Sequence, residues 1–177
     1  PGVGLLACRA TAARSSSSGV VEELDALAQR TTGPTAVRAA TQPVAAAYRT
    51  LRVGLGVEAD SGTNTLEALV RRRLVEGGLR SYGQPADAIA ISTFETGVPI
   101  EALVAEGGEV SLGVDTTGVV SLIRDGVAVA PLFGEPVSSA VPPKGAERSL
   151  LVAVVAPGVL AEVAALALDR ARELSAS

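Results

Sequence analysis

Histidine is absent from this chain, and that absence excludes more chemistry than any other feature of the sequence. A Ser-His-Asp triad, a Cys-His pair and a histidine metal ligand are all ruled out. Cysteine occurs once, at Cys8. A lone thiol cannot close an internal disulfide, and its place inside an apolar run reads as a buried core residue. Of fifteen basic residues only Lys144 is a lysine, so arginine carries the positive charge. With 19 acidic residues the formal net charge is −4. That balance argues against an extended basic groove, and DNA is not an expected partner. Aromatics are scarce: Tyr48, Tyr82, Phe94 and Phe133 make up 2% of the chain. A core without large rings packs through small branched side chains and brings helices and sheet close together. No stretch of about eighteen apolar residues exists, so no membrane span is expected. No charged-then-apolar leader is visible in a chain that starts at Pro1 without Met, and the cytoplasm is the expected location. No cofactor or metal is expected. Gly107-Gly108-Glu109 lacks the lysine and hydroxyl of a phosphate loop. Asp115, Asp125 and Glu135 fall on turns at no ligand spacing.

What is present suffices for one domain over residues 1–177, with 47% hydrophobic content drawn mainly from Ala, Val and Leu. Gly2 to Cys8 is a short continuous apolar run, read as a buried strand. Ser18 is the expected cap of a helix whose stripe is Val20, Val21, Leu24, Leu27 and Ala28, ending at Thr31 to Pro34. Pro43 opens a second helix, closed by Gly54 and Gly56. Thr63 or Thr65 caps a third, which ends at Gly77-Gly78. Ala86 to Phe94 reads as an apolar strand with small polar insertions, and Thr96 to Ile100 as a turn. Val110 to Val114, Val119 to Arg124 and Val127 to Phe133 read as strands, the last two joined by Asp125-Gly126, the signature of a type I′ hairpin. Leu150 to Val155 is a further buried strand before a long final helix. The expected fold is α/β mixed (α+β): one mixed sheet with helices packed on it.

Five of these pieces, in this order, carry a resemblance. They are the opening Pro1-Gly2-Val3 strand, Val44 to Arg49 (VAAAYR), Leu55-Gly56-Val57, Thr65 to Arg72 (TLEALVRR) and Ile91 to Ile100 (ISTFETGVPI). Over about residues 1–110 the chain resembles the editing domain of the phenylalanyl-tRNA synthetase beta chain in its free-standing, synthetase-related form. The resemblance implies a mixed sheet with helices packed against it, and hydrolysis of amino acids wrongly attached to tRNA. Asp87 matches the family's Asp, but its Asn is replaced within Ala88 to Ile91. The aromatic-Asp pair after Pro99-Ile100 is replaced by Glu101-Ala102-Leu103, and the later Trp- and Arg-rich segment by Pro131 to Ser139.

Editing hydrolysis can proceed without a side-chain base when the site positions a water and uses the ribose hydroxyl of the substrate; positioning alone supplies several kcal/mol. The candidate catalytic residues are Ser92, Thr93 and Glu95 on one strand-turn, with Glu95 orienting water or binding an α-amino group. Candidate substrate contacts are Asp87, Gly97 and Pro99, with Gly134, Ser138 and Ser139 as a second wall. Arg49, Arg72 and Arg73 are the candidate tRNA contacts. Against this stands the plainer reading of each: polar strand residues bonded to neighbouring backbone, an exposed strand-end carboxylate, ordinary loop chemistry, and a solvated helix face with one ion-pairing arginine. Three functions remain open at this point. One is a trans-acting aminoacyl-tRNA deacylase, whose partner is the aminoacyl-tRNA 3′ end. Another is a non-catalytic module that binds an amino acid or related small ligand in the same pocket. The third is a protein acting through surface contacts, with its Ala- and Val-rich final helix.

Overall fold

The structure is a computed structural model and describes residues 2–57, 64–134 and 148–177. Its centre is β6 (Arg148–Val155), whose run of Leu, Val and Ala side chains is buried on both faces. β6 pairs antiparallel with β1 (Gly4–Thr11) on one side and with β2 (Ile100–Val104) on the other. Alternation then sorts the β6 side chains. Leu151 and Ala153 share a cluster with Ala164, Ala167, Leu168 and Ala171 of α6 (Ala161–Ala176). Val152 and Leu150 pack instead with Leu103 of β2 and with Leu122 and Ala130 of a second sheet. Ala164, Ala167 and Ala171 are fully buried, so the helix backbone lies close to the strands.

The second sheet has the order β3-β4-β5 and is built from β3 (Val110–Val114), β4 (Val120–Arg124) and β5 (Val127–Pro131). Asp125 and Gly126 both have positive φ, 51° and 77°, as a type I′ turn requires. The expected single mixed sheet is therefore replaced by two three-stranded sheets, every described pair antiparallel. The turns joining β3, β4 and β5 are too short for a parallel crossover, which needs a dozen residues or more. The Ala105–Glu109 connection carries the chain off the first sheet.

Helices fill the remaining layer. α1 (Ser18–Arg30) starts one residue earlier than expected, on Ser17, whose Oγ accepts from Val20 N at 3.4 Å. α2 (Gly33–Ala40) stands where the sequence reads only a helix stop. Pro34 falls in its first turn, where a missing N–H costs nothing, and Thr32 N donates to Thr35 Oγ1 at 2.7 Å. α3 (Pro43–Gly54) opens on Pro43 as expected. α4 (Leu66–Glu76) is capped by Thr65, which accepts from Ala68 N, and ends at Gly77 with φ 75°.

The largest correction is α5 (Ala86–Thr96), a helix where a strand is expected. Its residues are buried nearly all round: Ala88, Ile89, Ile91, Ser92 and Thr93. An element covered on every side loses its periodicity and reads as a continuous apolar run. α5 packs against α6 and α1, where Val20, Leu24, Ala88, Ile91 and Leu174 form a second cluster. Ile100, expected in a turn, instead opens β2.

Tyr48 of α3 closes the first cluster. Its ring meets Phe133 edge-on, with centroids 6.3 Å apart, and its hydroxyl donates to the Val154 carbonyl. β2 pairing stops at Ala153, and the next position in that register is Pro99, which has no N–H to offer. The phenol thus bonds to β6 just where β2 pairing ends, and burial pushes its pKa up to about 12.

Candidate functional site

The end of α5 and the beginnings of α3 and α4 meet at a cleft of 450 Å³. Thr35 and Arg38 of α2, Gln42 and Val44 at the start of α3, Leu66 of α4, Phe94 and Glu95 of α5, and Gly97 just after it line it. Helix orientation gives this cleft opposite polarity at its two sides. α3 begins with no side-chain hydrogen bond from its N-cap Gln42, so its positive end is left open. Arg38 adds a full charge nearby, and its side chain is exposed. α5 presents the opposite end, its last carbonyls, together with Glu95.

Gly97 makes this junction possible. It takes φ 76° to end α5, and a Cβ there would lie 3.3 Å from Ala45 N and 3.4 Å from Val44 Cγ1. Two requirements, left-handed backbone and close approach to α3, fall on one residue. Glu95 is not idle in this arrangement. Arg170 of α6 holds it, Nε to Oε2 at 3.0 Å, and also pairs with Glu23 of α1. The hydrogen bond to Glu95 pushes the Arg170 pKa further up.

The other two candidate catalytic residues do not open on the cleft. Ser92 and Glu95, three residues apart on the helix, share the side that reaches α6, and Thr93 points elsewhere. Ser92 Oγ donates to the Ala167 carbonyl of α6 at 2.7 Å, and Thr93 Oγ1 to the Val98 carbonyl at 3.0 Å; both residues are fully buried. Asp87 is also buried, in the first turn of α5. It accepts from Ser16 Oγ at 2.7 Å, from Tyr82 N at 2.8 Å, and from Ser81 Oγ. It ties the loop before α5 to the loop before α1 and lies at the opposite end of the helix from the cleft. Pro99 is buried just before β2, and Gly134 turns back on the Pro131 carbonyl at 2.9 Å. Ser138 and Ser139 lie outside the described residues.

The three candidate arginines also separate. Arg49 pairs with Glu67 at 3.0 Å and donates to the Ala40 carbonyl. Arg73 donates to the Ala28 carbonyl, and Arg72 lies over the Tyr82 ring. Arg72 and Arg73 are six and seven residues beyond Leu66, about 10 Å along α4 from the cleft.

Sequence reasoning passed over two features. Arg38 belongs to a helix that the sequence did not reveal. Glu101, on β2, is only 6% exposed and accepts a hydrogen bond from Asn64 Nδ2 to Oε2 at 3.1 Å. Burial pushes its carboxyl up to about 7, against the opposing Asn64 bond. The available signal was alternation: Glu101 shares a sheet face with Leu103 and Val152, both buried. Among the described residues no three acidic or cysteine side chains gather to hold a metal, and no helix is long and apolar enough to cross a membrane.

Comparison of the chain with protein-family models, with curated proteins and with solved structures finds no match.

Proposed function

We propose that this chain is a binding module for an amino acid, free or as the aminoacyl group on a tRNA end, held in the cleft between α2, α3 and α5. The observation that carries the reading is the polarity of that cleft. An α-ammonium group finds Glu95 and the α5 C-terminus; a carboxylate or ester carbonyl finds the open start of α3 and Arg38. Val44, Leu66 and Phe94 offer an apolar wall for the side chain. A volume of 450 Å³ falls in the range of about 300–1,000 Å³ typical of small-ligand sites. Binding without hydrolysis is favoured because the Ser92 and Thr93 hydroxyls are turned into the interior and bonded to carbonyls.

Calorimetry against a panel of amino acids tests this. At least one member binds, and Glu95→Gln and Arg38→Ala each weaken it by about ten- to a hundredfold, as expected for the loss of one charge-assisted hydrogen bond of about 1.5–3 kcal/mol. No binding by any member, or unchanged affinity in both variants, sinks the proposal.

Deacylation remains the second reading, because Glu101 is held by Asn64, two residues before Leu66 of the cleft. A carboxyl that titrates near neutrality is the kind of group that serves as a general base in a chain without histidine. Incubation with mischarged tRNAs decides it: release above buffer that is lost in Glu101→Gln supports hydrolysis, and no release from any member refutes it.

A further inference from the structure

Tyr82 is the one aromatic residue of this protein that stands in solvent, at 55% exposure; Tyr48 and Phe133 are buried and Phe94 half-buried. Two guanidinium groups attend its ring, Arg72 at 5.7 Å from the centroid and Arg80 at 6.0 Å. Arg80 also lines a shallow cleft of 360 Å³ with Arg73 and the Gly77-Gly78 turn that ends α4. Arg14 is exposed and passes beside Gly83, its carbonyl 2.5 Å from where a Cβ on that glycine would sit. Two arginines thus attend one exposed ring, with Arg73 in the adjoining cleft, in a protein whose net charge is negative. Asp25 and Glu76 line the same shallow cleft as Arg73 and Arg80, while Tyr82 and Arg72 stand outside it.

We infer that this surface binds a single-stranded nucleic acid segment, with one base stacked at Tyr82 and the flanking phosphates on Arg72, Arg80 and Arg73. The chemistry favours that occupant. Phosphates match the guanidinium fork, and an unpaired base uses the aromatic face and the guanidinium planes beside it. An acidic peptide would use the arginines and leave the ring without a role. A base-paired duplex would present phosphates and no free base. The position of the patch is informative too. It lies at the C-terminal end of α4, while the cleft proposed for the amino acid lies at the N-terminal end, so both surfaces can be occupied together. The inference rests on the patch alone, and either proposal can fail without the other.

Fluorescence anisotropy with short unstructured RNA and DNA oligonucleotides, titrated with the full chain, tests it. Binding is expected at low salt, falling steeply between about 50 and 200 mM salt. Tyr82→Leu weakens it by about tenfold at every salt concentration, Tyr82→Phe retains it, and Arg80→Ala lowers the salt slope by about one. RNA bound more tightly than DNA of the same sequence identifies the source of the strand; equal binding leaves the stacking site intact as a general one. The inference is overturned by absence of binding at low salt, by Tyr82→Leu binding like the parent, or by base-free polyphosphate or a polyglutamate peptide displacing the oligonucleotide as well as unlabelled oligonucleotide does. Circular dichroism of each variant keeps folding separate from binding.

Discussion

Replacing Glu101 with Gln should flatten the pH dependence of stability across mildly acidic and neutral pH. In the folded protein the carboxyl is buried beneath the second sheet and titrates at about 7; unfolded, it titrates at its ordinary 4.5. The folded state therefore holds the proton more tightly. Its stabilising effect is complete below pH 4.5 and is lost as pH rises through about 7. Each pH unit of difference corresponds to about 1.4 kcal/mol, so the total loss is about 3 kcal/mol. Glutamine keeps an oxygen for Asn64 Nδ2 and carries no charge. Glu101→Gln should therefore match the parent near pH 4.5 and exceed its stability by up to about 3 kcal/mol near pH 8. Asp115 does not confuse this window: the Thr117 hydroxyl and further bonds hold its carboxylate below the usual range, so its contribution changes only at lower pH. Urea unfolding followed by circular dichroism, at half-unit steps, supplies the measurement. Parallel stability profiles for parent and variant between pH 5 and 7.5 would refute the reasoning, and so would a variant less stable than the parent at pH 8.

Gly97→Ala should destabilise the fold by about 1–2 kcal/mol, the cost of placing a Cβ at left-handed backbone, and should weaken amino-acid binding as α3 is pushed away; an unchanged melting temperature refutes the close approach. Asp87→Asn leaves three donors to share a weaker acceptor, and chemical denaturation should show a loss of about 1–3 kcal/mol with amino-acid affinity unaltered. Ser92→Ala removes the bond to α6 and should cost about 1 kcal/mol without touching ligand affinity; a variant that folds normally and loses ligand would return Ser92 to the site.

What could be read from the sequence follows a physical line. Elements with one wet face were legible, because burial and exposure then alternate with the element's own period. α4, with Thr65 before it and Gly77 after it, and the β4–β5 hairpin on Asp125-Gly126 are examples. α5 was not, because neighbours cover most of its circumference and the pattern that separates helix from strand fades. The misreading propagated to the candidate site. Ser92, Thr93 and Glu95 were grouped on one strand-turn; on the helix Ser92 and Glu95 share the side facing α6, and the Ser92 and Thr93 hydroxyls are bonded to interior carbonyls. Glu95 and Gly97 nonetheless line the cleft, since both belong to the end of the element whichever form it takes. Arg38 was out of reach because Pro34 looks like a stop and is in fact a start. Glu101 was noted as a replaced residue without its burial being recognised, and burial is what gives it an unusual proton affinity.

The pairing of β1 with β6 also governs how this protein can be made. β1 is among the first described residues to leave the ribosome, and the only strand it pairs with, among those described, is among the last. The β3–β5 meander and the helices can form from local contacts while synthesis continues, but the sheet at the centre of the fold must wait for its middle strand. Until then β1 presents backbone donors and acceptors, with Leu5 and Leu6 beside them, to whatever is nearby. Arg9, in the same strand, places a charge among those hydrophobic residues during the wait, when the chain is most open to pairing with the wrong partner.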